Sequence, residues 1–273
     1  MRITLLWVFA LPLLAQKPTK PFQKDIGADR VEIYKSTGDV SLRMHIWEPE
    51  GHKPEDRRPA IVFFFGGGWR SGSPAQFREH CQYLSARGIL AMSAEYRILG
   101  LHKTRATACV EDGKSALRWI RTEFSRLGVD PQRIAASGGS AGGHVAACTG
   151  LIAGYEDPDA AISSIPDAMI LFNPALPERL GVEPKSLSPY HHVAKGQPPT
   201  LILHGDADEV VLIEGIQAFV DASTTAGNRC ELAAYPEQVH GFFNFGRNGN
   251  AMYKATIARS QAFLRSLGWL QAE

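Results

Sequence analysis

The apolar positions of the chain fall into short unbroken runs separated by longer amphipathic stretches. Ala60-Ile61-Val62-Phe63-Phe64-Phe65 is continuous and stops at glycines, the pattern of a strand buried on both faces. Ile89–Ala94, Asp167–Phe172, Thr200–Leu203 and Cys230–Tyr235 read the same way, and Arg133–Ser137 reads as a shorter strand. Helical stretches lie between them: Pro74–Arg87 with a proline in its first turn, Thr104–Leu127 closed by Gly128, Ala141–Ile152, Val210–Ala226 closed by Gly227, and Met252–Leu267. Upstream, Val31–Lys35 and Ser41–Trp47 alternate as a hairpin around Gly38-Asp39, and the Pro-rich, charged residues 49–59 form a loop. This strand–helix rhythm predicts an α/β fold with a mostly parallel twisted sheet and helices on both faces. Residues 173–198 lack periodicity, hold five prolines, and are expected to lie as an insertion over the carboxyl edge of the sheet.

The first residues differ from the rest. Met1-Arg2 is followed by the almost wholly apolar Ile3–Leu14, then by Ala15 and the polar stretch Gln16–Lys20. This reads as a signal peptide over residues 1–15, cleaved near Ala15, with a polar lead-in over 16–29 and a single domain over 30–273. The apolar run is shorter than the roughly 20 residues of a membrane span. The expected location is therefore secreted or periplasmic. Export would place Cys81, Cys109, Cys148 and Cys230 in an oxidising compartment, but their spacing shows no close framework, no CxxC and no zinc pattern. The reading favours four small buried side chains. With 29 basic and 28 acidic residues, the chain carries no stripe or block of charge that would suit nucleic acid.

The candidate chemistry sits in Gly138-Gly139-Ser140-Ala141-Gly142-Gly143, between a strand and a helix. A serine hydroxyl is a weak nucleophile unless a base takes its proton, and it must be exposed on a sharp turn that tolerates only small neighbours. The run lacks the Lys-Ser/Thr of a phosphate loop. Gly66-Gly67-Gly68-Trp69 follows the buried strand at 60–65, where backbone amides can stabilise an oxyanion together with the amide of Ala141. The base and acid should follow in the order Ser, Asp/Glu, His. His240 lies just past the strand at 230–235, and Asp208 lies just past the strand at 200–203, with Asp206 the runner-up acid and Glu209 a weaker one. Position alone does not separate Asp206 from Asp208. His144 is one helical turn past Ser140, His204 ends a strand, and His191-His192 sit in the irregular segment, all poor places for the base. Neither a cofactor nor a metal is implied.

These segments together resemble the α/β-hydrolase superfamily over about residues 30–270, specifically bacterial esterases of the hormone-sensitive-lipase and feruloyl or acetyl-xylan (carbohydrate) esterase type. The segments are Phe65–Gly72, Ala94–Arg97, Glu111 through Trp119, Val129–Arg133, Gly138–Gly143, Ser188-Pro189, Leu203–Asp208 and His240–Asn244. The resemblance implies Ser140 as nucleophile, Asp208 rather than Asp206 as acid, His240 as base, and the amides of Gly67, Gly68 and Ala141 as oxyanion hole. It also implies a small or absent cap, with an ester substrate as the partner. Acetyl or feruloyl esters of plant polysaccharide suit an exported enzyme with an open site. Trp69 could then stack on a sugar or aromatic acid, or pack beside the glycine loop. A general short-chain carboxylesterase and a serine peptidase of the same fold are the alternatives. Two departures stand out: Phe65 replaces the family's usual histidine before the glycines, and Glu95 replaces the usual aspartate before Tyr96-Arg97.

Overall fold

The computed structural model describes residues 21–155, 161–176 and 185–271. The expected signal peptide at 1–15 lies outside the described residues, as do parts of the lead-in and of the insertion. Eight strands form one sheet in the order β1-β2-β4-β3-β5-β6-β7-β8. They are β1 (Arg30–Thr37), β2 (Val40–Trp47), β3 (Arg58–Phe64), β4 (Leu90–Ala94), β5 (Val129–Gly139), β6 (Ala168–Phe172), β7 (Thr200–Gly205) and β8 (Cys230–Tyr235). The β1–β2 hairpin turns at Gly38-Asp39 and joins β4 antiparallel, while β4 through β8 pair in parallel.

Alternation along the apolar runs fills two cores, one on each face. Ala60, Val62 and Phe64 of β3 enter one core, and Ile61 and Phe63 the other. Met169 and Leu171 of β6 likewise oppose Ala168, Ile170 and Phe172. The first face is covered by α3 (Ala106–Thr122), α5 (Ala141–Leu151) and α6 (Ile213–Thr225). The second is covered by α1 (Arg78–Ser85) and α7 (Ala251–Ser266). Short helices α2 (Leu99–His102) and α4 (Phe124–Leu127) complete the set.

Several boundaries differ from the expectation. The helical stretch at 104–127 breaks at Glu123, which leaves helical geometry (φ −89°, ψ 11°), and α4 then ends on Gly128 at φ 64°. The stretch at 74–87 begins as a 3-10 turn over Pro74–Phe77, with Ser73 Oγ accepting from the Ala75 amide. Strand β5 starts at Val129, opposite Arg58, and its register then jumps so that Ala60 faces Ile134. The jump accommodates Pro131, which has no amide for the ladder. Helix α6 starts at Ile213 because the amides of Val210 and Val211 are taken by Asp208 Oδ1, both at 2.9 Å. Among the described residues, the segment between β6 and β7 contributes only two short 3-10 turns, Lys185–Leu187 and Pro189–His192.

All four cysteines are buried and free, and burial raises the thiol pKa of each. No helix among the described residues is long and apolar enough to cross a membrane.

Candidate active site

The site forms where β3, β5, β7 and β8 end. Strand β5 turns into α5 at Ser140, whose backbone is held at φ 53° and ψ −118°. A non-glycine residue at positive φ is strained by about 1–3 kcal/mol and persists only where its surroundings over-determine it. Here the Ser140 amide donates to Phe172 O at 3.0 Å, and Ser140 O accepts from His144 and Ala175 at 3.0 and 3.1 Å. The flanking glycines are a steric necessity. A Cβ on Gly142 would stand 2.0 Å from Phe64 O, and one on Gly138 2.5 Å from the Gly142 carbonyl.

Ser140 Oγ lies 2.9 Å from His240 Nε2, and His240 Nδ1 lies 2.7 Å from Asp208 Oδ2. The Asp208 side chain is fully buried, while that of His240 is 24 % exposed. Burial pushes the Asp208 carboxyl up, but the hydrogen bond from His240, the histidine's charge and the amides of Val211 and Val210 outweigh it, leaving a net pKa below the usual value. Asp208 is thus an anion at neutral pH. Its Oδ2 faces Nδ1 of His240 and so leaves Nε2 turned to Ser140 as the acceptor. Asp206 is exposed and accepts from the Glu237 amide at 2.6 Å, so it shapes the neighbouring turn instead. Glu209 is exposed.

The glycine loop stands beside the serine: a Cβ on Gly66 would be 3.4 Å from Ser140 Cβ. Gly67 O accepts from the amides of Arg70 and Ser71, both at 3.1 Å, and Gly67 itself sits at φ 130°, where a Cβ would meet Ser71 O at 2.3 Å. Among the described residues the amides of Gly67 and Gly68 donate to no acceptor. Ala141 opens α5, where an amide has no acceptor within its own helix. Three amides are thereby available near one hydroxyl.

Phe65 holds this loop by packing. Its ring stacks on Tyr96 at 4.2 Å and meets Phe22 edge-on at 5.5 Å, while Tyr96 Oη donates to Phe65 O at 2.5 Å. Glu95 is buried and serves the sheet edge, accepting from the Arg43 amide, pairing with the Arg43 guanidinium and contacting His45 Nε2 at 3.3 Å. Trp69 packs on the core beside the loop, where its indole N–H donates to His144 Nδ1 at 3.3 Å. His144 in turn donates from Nε2 to Leu187 O at 2.7 Å, and burial lowers its pKa to about 4. It is a neutral structural histidine. His204 Nε2 donates to Val211 O at 2.8 Å.

Two supporting residues, Asn173 and Gln76, escaped the sequence reading. Asn173, fully buried at φ 34°, accepts from the Gly241 amide at 3.0 Å and places Nδ2 3.4 Å from His240 Nε2. Gln76 Oε1 accepts from the Gly66 amide at 2.6 Å, and its Nε2 donates to Asn244 Oδ1 at 2.9 Å, tying the glycine loop to the histidine loop. The only available signal was their place just past a strand or near the serine and histidine turns. Among the described residues, no three His, Cys, Asp or Glu side chains converge to hold a metal ion.

Residues 44–170 match the family described as BD-FAE, and residues 177–267 match the prolyl oligopeptidase family. Carboxylesterase NlhH of Mycobacterium tuberculosis is 28 % identical, covering 88 % of this chain and 82 % of that protein. The thermophilic esterase Est2 of Thermogutta terrifontis superposes with a TM-score of 0.88 at 48 % identity, covering 91 % of this chain and 96 % of that one. The same esterase phosphorylated by paraoxon superposes equally, with a TM-score of 0.88 at 50 % identity over 91 % of this chain and 98 % of that one. With this similarity across nearly its whole described length, and with a serine, histidine and aspartate in hydrogen-bonded series, the chain belongs to the α/β-hydrolase carboxylesterases, serine hydrolases acting on carboxylic ester bonds.

Proposed function

We propose that Ser140, His240 and Asp208 form the catalytic triad of an exported esterase that removes acetyl or feruloyl groups from plant polysaccharide or oligosaccharide esters. The observation that carries the triad is the series Asp208–His240–Ser140 at 2.7 and 2.9 Å beside the acceptor-free amides of Gly67 and Gly68. Ser140 Oγ attacks the ester carbonyl as His240 Nε2 takes its proton. The carbonyl oxygen gains negative charge next to the amides of Gly67, Gly68 and Ala141. The imidazolium, stabilised by Asp208, returns the proton to the departing alcohol and leaves an acyl-serine. Water, deprotonated by His240, then releases the acid and regenerates Ser140.

The polysaccharide reading is supported by the signal-like residues 1–15. A second reading, peptide hydrolysis, is favoured by the match of residues 177–267 to the prolyl oligopeptidase family. The test is a side-by-side release assay on acetylated xylan, feruloylated arabinoxylan, short p-nitrophenyl esters and aminoacyl p-nitroanilides. Release of acetate or ferulate from the polymers is expected. Cleavage of the short esters alone would reduce the enzyme to a general carboxylesterase, and cleavage of the anilides would favour the peptidase.

A further inference from the structure

A cavity of about 410 Å³ opens directly against the glycine loop, with Gly68, Trp69 and Arg70 on one side and Leu99, Thr104 and Arg105 on the other. Its walls are fastened together: the Leu99 amide donates to Trp69 O and the Gly100 amide to Arg70 O, both at 2.9 Å. Among the described residues, no carboxylate lines it. Arg70 and Arg105 are exposed, and neither guanidinium has a hydrogen-bond or ion-pair partner among the described residues. Neighbouring Arg97 shows the contrast, since Asp112 and Glu111 occupy it at 2.8–2.9 Å. The arginine-rich cavity at the amino edge of the sheet is also different, because there Arg58 pairs with Asp56 and Arg133 with Asp130.

A further feature favours an anion in the cavity. Arg105 precedes α3, a helix of 17 residues whose start has no side-chain cap, so its amide end presents partial positive charge beside the guanidinium. Two uncommitted guanidiniums and an uncapped helix start thus lie beside one arm of the proposed oxyanion hole. Gly68 belongs to both the cavity wall and the proposed oxyanion hole, so one substrate can reach the two.

We propose that this cavity is a carboxylate subsite and that the preferred substrates are esters carrying a carboxylate near the scissile bond, as an acetylated uronic-acid unit does. The proposal deepens the polysaccharide reading and rests on the esterase assignment, so the experiment separates the two. Two matched pairs serve: mono-p-nitrophenyl succinate against p-nitrophenyl butyrate, with the charge on the acyl side, and acetylated methyl glucuronide against acetylated methyl glucoside, with the charge on the alcohol side. The quantity read is the anionic-to-neutral ratio of kcat/KM, in which any general loss of activity cancels. For the preferred side, the wild-type ratio should be about five- to tenfold at low salt and should collapse toward one in about 0.5 M sodium chloride. The double variant Arg70→Gln/Arg105→Gln should bring it to about one, and Arg105→Glu alone below one. An arginine-dependent preference for the succinate with no cleavage of either sugar acetate upholds the subsite and removes the polysaccharide reading. Cleavage of both sugar acetates with no anionic preference in either pair overturns the subsite and leaves the polysaccharide reading standing. A preference that survives the double variant also overturns it.

Discussion

Replacing Asp208 by asparagine should cost far more than the loss of one charge, because the site dictates how the amide must sit. Asp208 Oδ1 accepts from two backbone amides, Val210 and Val211, at 2.9 Å each. An asparagine must keep its single carbonyl oxygen there, since turning its NH2 toward two buried donors would leave both unpaired. Its NH2 then occupies the place of Oδ2, 2.7 Å from His240 Nδ1. Facing a donor, Nδ1 becomes the acceptor, the imidazole proton moves to Nε2, and Nε2 can no longer take the proton of Ser140. The serine loses its base while the fold loses almost nothing. Inverting the tautomer in a triad of this geometry costs about 10⁴-fold in kcat, or roughly 5.5 kcal/mol of transition-state stabilisation. The assay is kcat on p-nitrophenyl butyrate for Asp208→Asn beside Asp206→Asn, with thermal unfolding to show that both are folded. The Asp206 variant, altered at an exposed turn, should stay within about twofold of wild type. An Asp208→Asn enzyme keeping more than about a tenth of its activity would refute the reasoning, as would equal losses in the two variants.

Other outcomes follow from buried groups around the site. His80 is fully buried among Phe63, Phe77, Phe172, Phe243 and Tyr253 with neither ring nitrogen partnered, and burial lowers its pKa to about 3. A folded-state pKa below the unfolded value means that the unfolded chain binds the extra proton, so stability is full above about pH 6.5 and falls as pH drops toward 3. Between pH 7 and pH 5 this one group should remove about 2 kcal/mol, and urea unfolding of His80→Leu should show a pH dependence smaller by that amount. Asn173→Leu leaves the buried Gly241 amide without its acceptor, so kcat should fall by about tenfold with little change in KM. Asn173→Asp restores that acceptor but sets a negative charge near His240 Nε2, 3.4 Å from the present Nδ2. It should recover stability while moving the acidic limb of kcat/KM to higher pH.

Much of this architecture was legible because burial on both faces writes itself as unbroken apolar sequence. The run at 60–65 reads as a buried strand, and its side chains alternate between the two cores from Ala60 to Phe64, where the strand ends. The serine turn was legible because close backbone approach admits only glycine around it, a steric demand visible in composition. The acid was not fixed by spacing, since Asp206 and Asp208 both follow β7. The turn chooses between them: Asp206 reaches the Glu237 amide, whereas Asp208 turns inward to His240. That same inward carboxylate takes the amides of Val210 and Val211 and delays the start of α6, so the helix boundary and the choice of acid have one cause. Asn173 and Gln76 were illegible for a different reason. Their partners in the histidine loop lie 67 to 168 residues away, and no local pattern records such contacts. The substitution at Phe65 raised a question of loop geometry that packing resolves, because the stack on Tyr96 and the bond from Tyr96 Oη anchor the strand end from which the glycines depart.

The proposed triad makes Ser140 the residue acylated in turnover. A fluorophosphonate probe reacts only with a serine whose proton is taken by a neighbouring base, so the direct measurement is peptide mass spectrometry after labelling the whole chain. One phosphonyl adduct, on Ser140, is expected in step with the loss of p-nitrophenyl acetate hydrolysis, with neither labelling nor hydrolysis in Ser140→Ala. An adduct on another serine, or hydrolysis retained by Ser140→Ala, would contradict it.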